Sequence, residues 1–308
     1  MWKVKQIEPQ PARGVLKDGM WDSPEWLLEE KYDGDRRIVQ FCPDGVPRFT
    51  GRRKSVRDGL FVEKTANLPH LLDAKAVPPG TVLDGEIIWP GEIVGGGSKY
   101  VTSIMGSSSL EAIAKQKERG WLIYLVFDCL FFNGVDIRRE SFLARRERMV
   151  DAVHLWHNKH VGLAEFWEIQ KRKVYDAIIS RGGEGVILKH IDHRYGDKTG
   201  WVKVKAEATA DVVIMGFEEA KAESKKSDGT KSPTKFALQG LIGAIQCGQW
   251  DKPGGHNLVE VATVSGVDDQ LRRDLTARPH KYIGKVLEIK HNGREPTGRF
   301  RHPRFGRF

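Results

Sequence analysis

The stretch EEKYDGDRR, residues 29–37, gathers four acids and three cations around one tyrosine and one glycine. Two readings compete for it. A polar surface turn has this composition, because glycine and aspartate favour tight turns. So does a site in which Lys31 attacks a phosphorus atom. A lysine amine attacks only when neutral, and its free pKa near 10.4 keeps it charged. Nearby cations or burial raise the neutral fraction, and Arg36 and Arg37 follow within six residues. In an extended segment Lys31 and Asp33 share a face. Gly34 lets the chain turn tightly, or lets a ligand approach the backbone. Lysine-x-aspartate-glycine fixes only three residues, so the choice depends on what lies downstream.

Downstream, Asp84-Gly85-Glu86 interrupts the apolar run TVLDGEIIW (81–89), and Glu184 opens another, EGVILK (184–189). Acids at i and i+2 of a strand share a face. In WVKVK (201–205), Lys203 and Lys205 alternate with Val202 and Val204. That pattern puts two cations on one face of a strand whose other face is free to be buried. Any one of these polar residues has a plainer reading as a strand end facing water. Together they supply an attacking lysine, acids able to hold a divalent cation and a lysine pair able to hold phosphate. Phosphoryl or nucleotidyl transfer needs this set, because its catalysis is mostly positioning and charge stabilisation.

The rest of the chain sets bounds. Its 308 residues suffice for one large or two ordinary domains, and with 40% hydrophobic and 30% charged residues it can build a sizeable core. A net charge of +9 points to an anionic partner, nucleic acid first, although a merely basic surface has the same sum. Cys42, Cys129 and Cys247 lie far apart, so neither a disulfide framework nor a structural zinc site is expected, and a reducing cell interior is. The N-terminal residues lack a signal-peptide apolar core, and no apolar run reaches the ~18 residues of a membrane helix. His154, His157 and His160 are poorly spaced for a closed zinc site. The glycine-rich 94–100 lacks Walker A spacing and reads as a flexible loop.

Strands are expected at 36–42, 81–89, 121–132, 184–189 and 201–205, with helical spacing at 60–74, 109–120, 141–154 and 171–183. Gly182 and Gly183 are a helix stop. This is an α+β pattern rather than a regular βαβ array. From about residue 206 the texture changes to short strands separated by turns, with one helical piece in DDQLRRDL, which fits a small β-barrel. Within it, the lysine-rich 221–235 reads as a mobile surface loop, solvated or touching a phosphate backbone.

The order of these pieces resembles the ATP-dependent DNA ligases of the covalent nucleotidyltransferase superfamily. EEKYDGDR resembles the family's first motif. TGRRKSV (50–56) is similar to the second, with Gly51 in place of a serine. LDGEII (83–88) resembles the third and YLVFDCLFFNG (124–134) the next. GEGVILK (183–189) and WVKVK follow in order. The resemblance covers nearly the whole chain. It implies an ATP-grasp-like adenylylation domain over 1–206, followed by an OB-type barrel over 207–308.

The resemblance also implies roles. Lys31 would form a covalent lysyl-AMP. Glu29 would read the adenine edge, with Phe127 stacking on the base. Arg36 would sit near the ribose, and Arg52 near the phosphate or the nick, with Lys54 as a further DNA contact. Glu86 would hold the ribose hydroxyl or help place magnesium or manganese, which Glu184 would also bind. Lys203 and Lys205 would contact the α-phosphate. The family's closing arginine-x-aspartate-lysine motif is expected just after the arginine-histidine-proline at 301–303. The given sequence stops at Phe308, which leaves three alternatives: Arg304 or Arg307 substitutes, the motif is degenerate, or the C-terminus is trimmed. Self-adenylylation is the step expected to suffer more than sealing of a pre-adenylylated nick. No extra N-terminal DNA-binding domain is expected, since the lysine lies 31 residues in. The implied protein is a monomer acting on nicked duplex DNA in the cytoplasm of a bacterium or a virus-infected cell. The rivals are an RNA ligase, a GTP-using capping enzyme, or a nick-binding protein that does not activate ATP.

Overall fold

Period-two alternation decides how the strands sit. In the computed structural model, which describes residues 4–91, 97–205, 208–225, 231–252, 255–295 and 297–308, the chain divides into two compact units, Met1–Lys205 and Ala206–Phe308. The junction lies one residue before the expected one.

The first unit runs β1 (Trp26–Glu30), β2 (Asp35–Phe41), β3 (Pro47–Lys54), β4 (Phe61–Glu63), β5 (Val82–Ile88), α1 (Gly97–Gly106), α2 (Ser109–Arg119), β6 (Ile123–Phe132), β7 (Val135–Asp136), α3 (Phe142–Trp156), β8 (Val161–Leu163), β9 (Phe166–Trp167), α4 (Lys171–Ser180), β10 (Gly185–His190) and β11 (Trp201–Lys205). Two sheets result. The larger has the order β4-β3-β2-β5-β6-β7, with β8 joined parallel to β6. The smaller has the order β11-β10-β1-β9 and is antiparallel throughout.

Each sheet buries one face and turns charged residues to the other. On the larger sheet Val39, Phe41, Phe49, Leu83, Ile87, Tyr124 and Val126 are buried with residues of the three helices, among them Ile104, Ala112, Met149 and Trp156. Trp156 meets Phe41 edge-on at 4.9 Å. A buried aromatic of this kind contributes about 1.5–3 kcal/mol. The alternate positions, Arg36, Asp84, Glu86 and Phe127, belong to the opposite face. On the smaller sheet Leu28, Val186, Leu188 and Val202 pack with Ile178 of α4, which leaves Glu29, Ile187, Lys189, Trp201, Lys203 and Lys205 on the other side. Ser108 and Glu111 form a capping box at the start of α2, and Ser141 caps α3. The expected stop of α4 is present: the Gly183 and Gly182 amides donate to the Ile178 and Ile179 carbonyls, both at 2.9 Å.

Three local expectations are corrected. Residues 60–74 form β4 and two 3₁₀ turns, because Phe61 pairs with Lys54 and Pro69 cannot continue a helix. Of the glycine-rich 94–100, residues 94–96 lie outside the described residues, but Gly97 already opens α1, driven by Val101, Ile104 and Met105 at helical spacing. In 221–235, β13 (Glu223–Lys225) and β14 (Lys231–Pro233) pair as a hairpin whose tip lies outside the described residues.

The second unit consists of β12 (Ala208–Glu219), that hairpin, the short α5 (Lys235–Leu238), β15 (Ile242–Trp250), β16 (Leu258–Val264), α6 (Asp269–Ala277), β17 (Val286–His291) and β18 (Arg304–Arg307). Its main sheet has the order β16-β15-β12-β17-β18, all antiparallel. A parallel bridge between Ser265 and Arg304 joins its two edges, so the sheet closes on itself. Val212, Ile214, Ile245, Val264, Leu287 and Ile289 fill the interior, and Leu275 of α6 packs with them. Cys42, Cys129 and Cys247 are buried and form no disulfide among the described residues.

Candidate active site

The charged faces of the two sheets of the first unit line one cleft of about 480 Å³. Lys31, Glu29, Arg36, Arg52, Glu86, Phe127, Glu184, Lys203 and Lys205 all line it. Lys54 does not. It is exposed at the end of β3, its ammonium 5.2 Å from the Phe61 ring. These side chains come from positions up to 176 residues apart in sequence, and strand alternation aims them at one space.

Lys31 follows β1 directly, and its amide donates to the Gly185 carbonyl at 2.9 Å. The turn after it brings Gly34 against β5, where any Cβ would collide with the Ile87 carbonyl oxygen. The glycine of the motif is therefore required by a close backbone approach. The Lys31 ammonium is paired with Glu184 Oε2, and Lys205 Nζ binds Glu184 Oε1 at 2.7 Å. One carboxylate thus holds two lysines. Gly51 lies beneath Arg37. A Cβ there would come 2.8 Å from the Arg37 guanidinium, which fills the space instead.

Arg36 is fixed from several sides. Its Nε and Nη2 donate to Asp84 at 2.9 and 2.5 Å, and its Nη1 donates to the Gln10 carbonyl at 2.6 Å. The Tyr195 hydroxyl donates to Asp84 Oδ2 at 2.7 Å. Burial and the Asp84 charge push the Tyr195 hydroxyl well above its ordinary pKa, so it stays a donor. Asp84 is fully committed to this network and does not line the cleft, whereas Glu86 does. Burial pushes the Glu86 carboxyl up to about 8, against the pull of Lys31 and Arg36.

Glu29 is 2% exposed and pairs with Lys189, its Oε2 2.6 Å from Nζ. Its Oε1 has no hydrogen-bond partner among the described residues. Arg146 Nη1, also without one, is 3.8 Å away. Burial raises the Glu29 pKa and lowers that of Lys189, each against the pull of its partner. Lys189 also donates to the Phe127 carbonyl at 2.8 Å. Sequence reasoning missed Lys189, Trp201, Gln10, Arg13 and Tyr195. Alternation carried one step further would have found the first two: Lys189 is two residues past Ile187, and Trp201 two before Lys203. Gln10, Arg13 and Tyr195 had no sequence signal.

For a divalent cation, no cluster of three or more acidic, histidine or cysteine side chains exists among the described residues. Magnesium asks for less: one or two carboxylates, with phosphate and water completing the shell. Glu86 and Glu184 supply hard oxygens on the same cleft, and that donor set fits.

A family model for the ATP-dependent DNA ligase domain matches residues 16–205, more than half of the chain and the whole of the cleft-bearing β1–β11 array. The chain belongs to the ATP-dependent DNA ligase family. Within the family it is 24% identical over 221 residues to the SPbeta prophage-derived DNA ligase-like protein LigB of Bacillus subtilis, covering 71% of this chain and 70% of that protein. It is 30% identical over 230 residues to a DNA ligase of Archaeoglobus fulgidus, of which it spans 38%. Among solved structures, a Lig E DNA ligase analysed for DNA binding with a minimal scaffold superposes with a TM-score of 0.68 at 19% identity, over 98% of each chain. The mycobacterial DNA ligase D complexed with ATP and MES gives 0.53 at 22%, over 99% of this chain and 95% of that one. These likenesses show a shared fold. Among the described residues no helix is long and apolar enough to cross a membrane.

Proposed function

We propose that this chain seals nicks in duplex DNA, acting as a monomer, through a covalent lysyl-AMP on Lys31 and a DNA-adenylate. One observation carries the reading: nine residues nominated from six separate motifs line a single cleft. In the first step Lys31, released from Glu184, attacks the α-phosphorus of ATP and pyrophosphate leaves. In the second the AMP passes to the 5′-phosphate at a nick and the lysine is freed. In the third the 3′-hydroxyl attacks that phosphorus and AMP departs.

The cleft supports each role by chemistry. Adenine offers a donor at N6 and an acceptor at N1, and the Glu29–Lys189 pair offers an unpartnered acceptor beside a donor. Phe127 supplies a ring for the base. Arg36, held by Asp84, would contact the ribose. Lys203 and Lys205 meet the α-phosphate, and Arg52 the phosphate or the nick. Glu86 and Glu184 would hold magnesium or manganese, which neutralises phosphate charge when bound. Glu184 would give up Lys31 before the amine attacks, while keeping Lys205.

We infer also that residues 206–308 are an OB-type barrel. The closed five-stranded sheet, with α6 between β16 and β17, supports this. The net charge of +9 supports salt-sensitive, sequence-independent grip on a duplex, to which Lys54 contributes. The test uses radiolabelled ATP. Wild type should form a protein–AMP adduct, and Lys31→Ala none; an adduct in the variant would overturn the assignment. Substituting GTP, or an RNA nick, separates the DNA ligase from its nucleotidyltransferase rivals.

A further inference from the structure

The cations of the cleft divide into those already spoken for and those that are not. Lys31 and Lys205 share Glu184, Arg36 is held by Asp84, and Lys189 by Glu29. Three other cleft-lining cations, Arg13, Arg52 and Lys203, have no ion pair among the described residues. Unpaired cations converging on one concave space mark where an anion belongs. The last two were nominated from sequence. Arg13 was not, and it lies outside the residues matched by the family model, 16–205.

Arg13 is exposed but its backbone is not loose. Three residues before it, Gln10 is 3% exposed and uses every polar group it has. Its amide donates to the Tyr195 hydroxyl at 3.0 Å, and its carbonyl accepts from Arg36 at 2.6 Å. Its side-chain oxygen accepts from the Gly196 amide at 2.5 Å. Its side-chain nitrogen lies 2.6 Å from His193 Nε2 and donates to the Asp197 carbonyl at 3.2 Å. One residue after Arg13, the Gly14 amide donates to the Trp201 carbonyl at 2.9 Å. A Cβ on Gly14 would come within 2.6 Å of Thr199 O and Val202 Cγ2, so the chain is pressed against the start of β11. Residues 10–14 therefore form a strap pinned at both ends, with Pro11, Ala12 and Arg13 as one wall of the cleft.

We propose that Arg13 is a phosphate-binding residue of the cleft, carried by a strap that Gln10 anchors. A guanidinium on a fixed backbone suits this role, because its fork of donors matches phosphate oxygens and little ordering entropy is lost on binding. The phosphate has two possible sources, the triphosphate of ATP and the 5′-phosphate of the nick. The strap also contacts Arg36, so Gln10 acts as a positioning residue for both arginines. This inference rests on the ligase reading above.

The experiment compares Arg13→Met, Arg13→Lys and Gln10→Ala with wild type. Lys31 adenylylation is followed against ATP concentration, its reversal against inorganic pyrophosphate, and sealing is followed on a pre-adenylylated nick. If the triphosphate is the ligand, Arg13→Met raises the KM for ATP and for pyrophosphate about tenfold or more, with pre-adenylylated sealing unchanged. If the nick phosphate is the ligand, adduct formation is unchanged and sealing falls by a similar factor. Arg13→Lys recovers part of either loss, and Gln10→Ala shifts the same parameter as Arg13→Met. Effects under about twofold in all three assays overturn the proposal. A role in folding alone would move the melting temperature of Arg13→Met instead of these constants. An adduct that persists in Lys31→Ala would defeat the ligase mechanism itself, an outcome distinct from a silent Arg13.

Discussion

The Asp128–Arg145 pair and the Glu29–Lys189 pair are both shut away from solvent, yet only the first is complete. Arg145 Nε and Nη2 donate to the two Asp128 oxygens at 2.7 and 2.9 Å, and both side chains are 0% exposed. The remaining Arg145 nitrogen, Nη1, donates to the Glu140 and His193 carbonyls at 2.8 and 2.7 Å, and Asp128 Oδ1 also accepts from the Cys129 amide. Nothing is left for a ligand. Glu29 keeps one oxygen without a hydrogen bond among the described residues, with Arg146 Nη1 3.8 Å away, and lines the cleft. A saturated buried pair acts as scaffold, and an unsaturated one facing a cavity costs stability unless something binds. Hydrogen-bond completeness, rather than burial or charge, separates framework from site here.

The largest effect that would break the comparison lies in the complete pair. Arg145→Met leaves Asp128 buried without its cation, and the free energy of unfolding in denaturant should fall by about 3–5 kcal/mol. A loss below about 1 kcal/mol would show that the pair is not framework. Acid probes the same region. Burial, and then the Arg145 charge, hold the His193 pKa down to about 4 from an ordinary 6.5. Between those values the unfolded chain binds more protons than the folded one. This contribution is therefore fully present above about pH 6.5 and is lost as the pH falls towards 4. Its size is on the order of 2–3 kcal/mol. Glu86 titrates in the opposite sense, so the difference between wild type and His193→Asn is the quantity to measure. The difference should shrink steadily from pH 6.5 to 4, and a flat one would remove His193 from the account.

The incomplete pair should behave in reverse. Glu29→Gln keeps the shape but replaces one carboxylate oxygen by an amide donor. Stability should fall by about 1–3 kcal/mol, less than for Arg145→Met because the amide oxygen still accepts from Lys189 although the ammonium loses its counter-charge, while the KM for ATP in adduct formation rises about tenfold and discrimination against GTP narrows. A variant that unfolded readily but kept its nucleotide preference would place Glu29 with the framework.

Much of the site was legible because its chemistry is written in strand alternation. The lysines of WVKVK reach the cleft because Val202 lies buried beneath them, and a period of two is visible in any sequence. Order of motifs did the rest. The misreadings have physical causes. Residues 60–74 carry helical spacing, but pairing with β3 and Pro69 override it. Lys189, at the end of an apolar run, was not singled out, although its face was predictable from Ile187.

By itself the sequence nominated Lys31, the charged strand faces that meet at the cleft and a change of texture near residue 206. Local alternation and motif order suffice for those. Only the tertiary structure decided which charges are spent on one another. Asp84 and Glu86 are two residues apart and alike in sequence, yet one is wholly engaged with Arg36 and Tyr195 and the other lines the cleft. Gln10 and Tyr195 are 185 residues apart and meet at 3.0 Å. Hydrogen bonds act over about 3 Å, and no local pattern records which distant groups the folded chain brings that close.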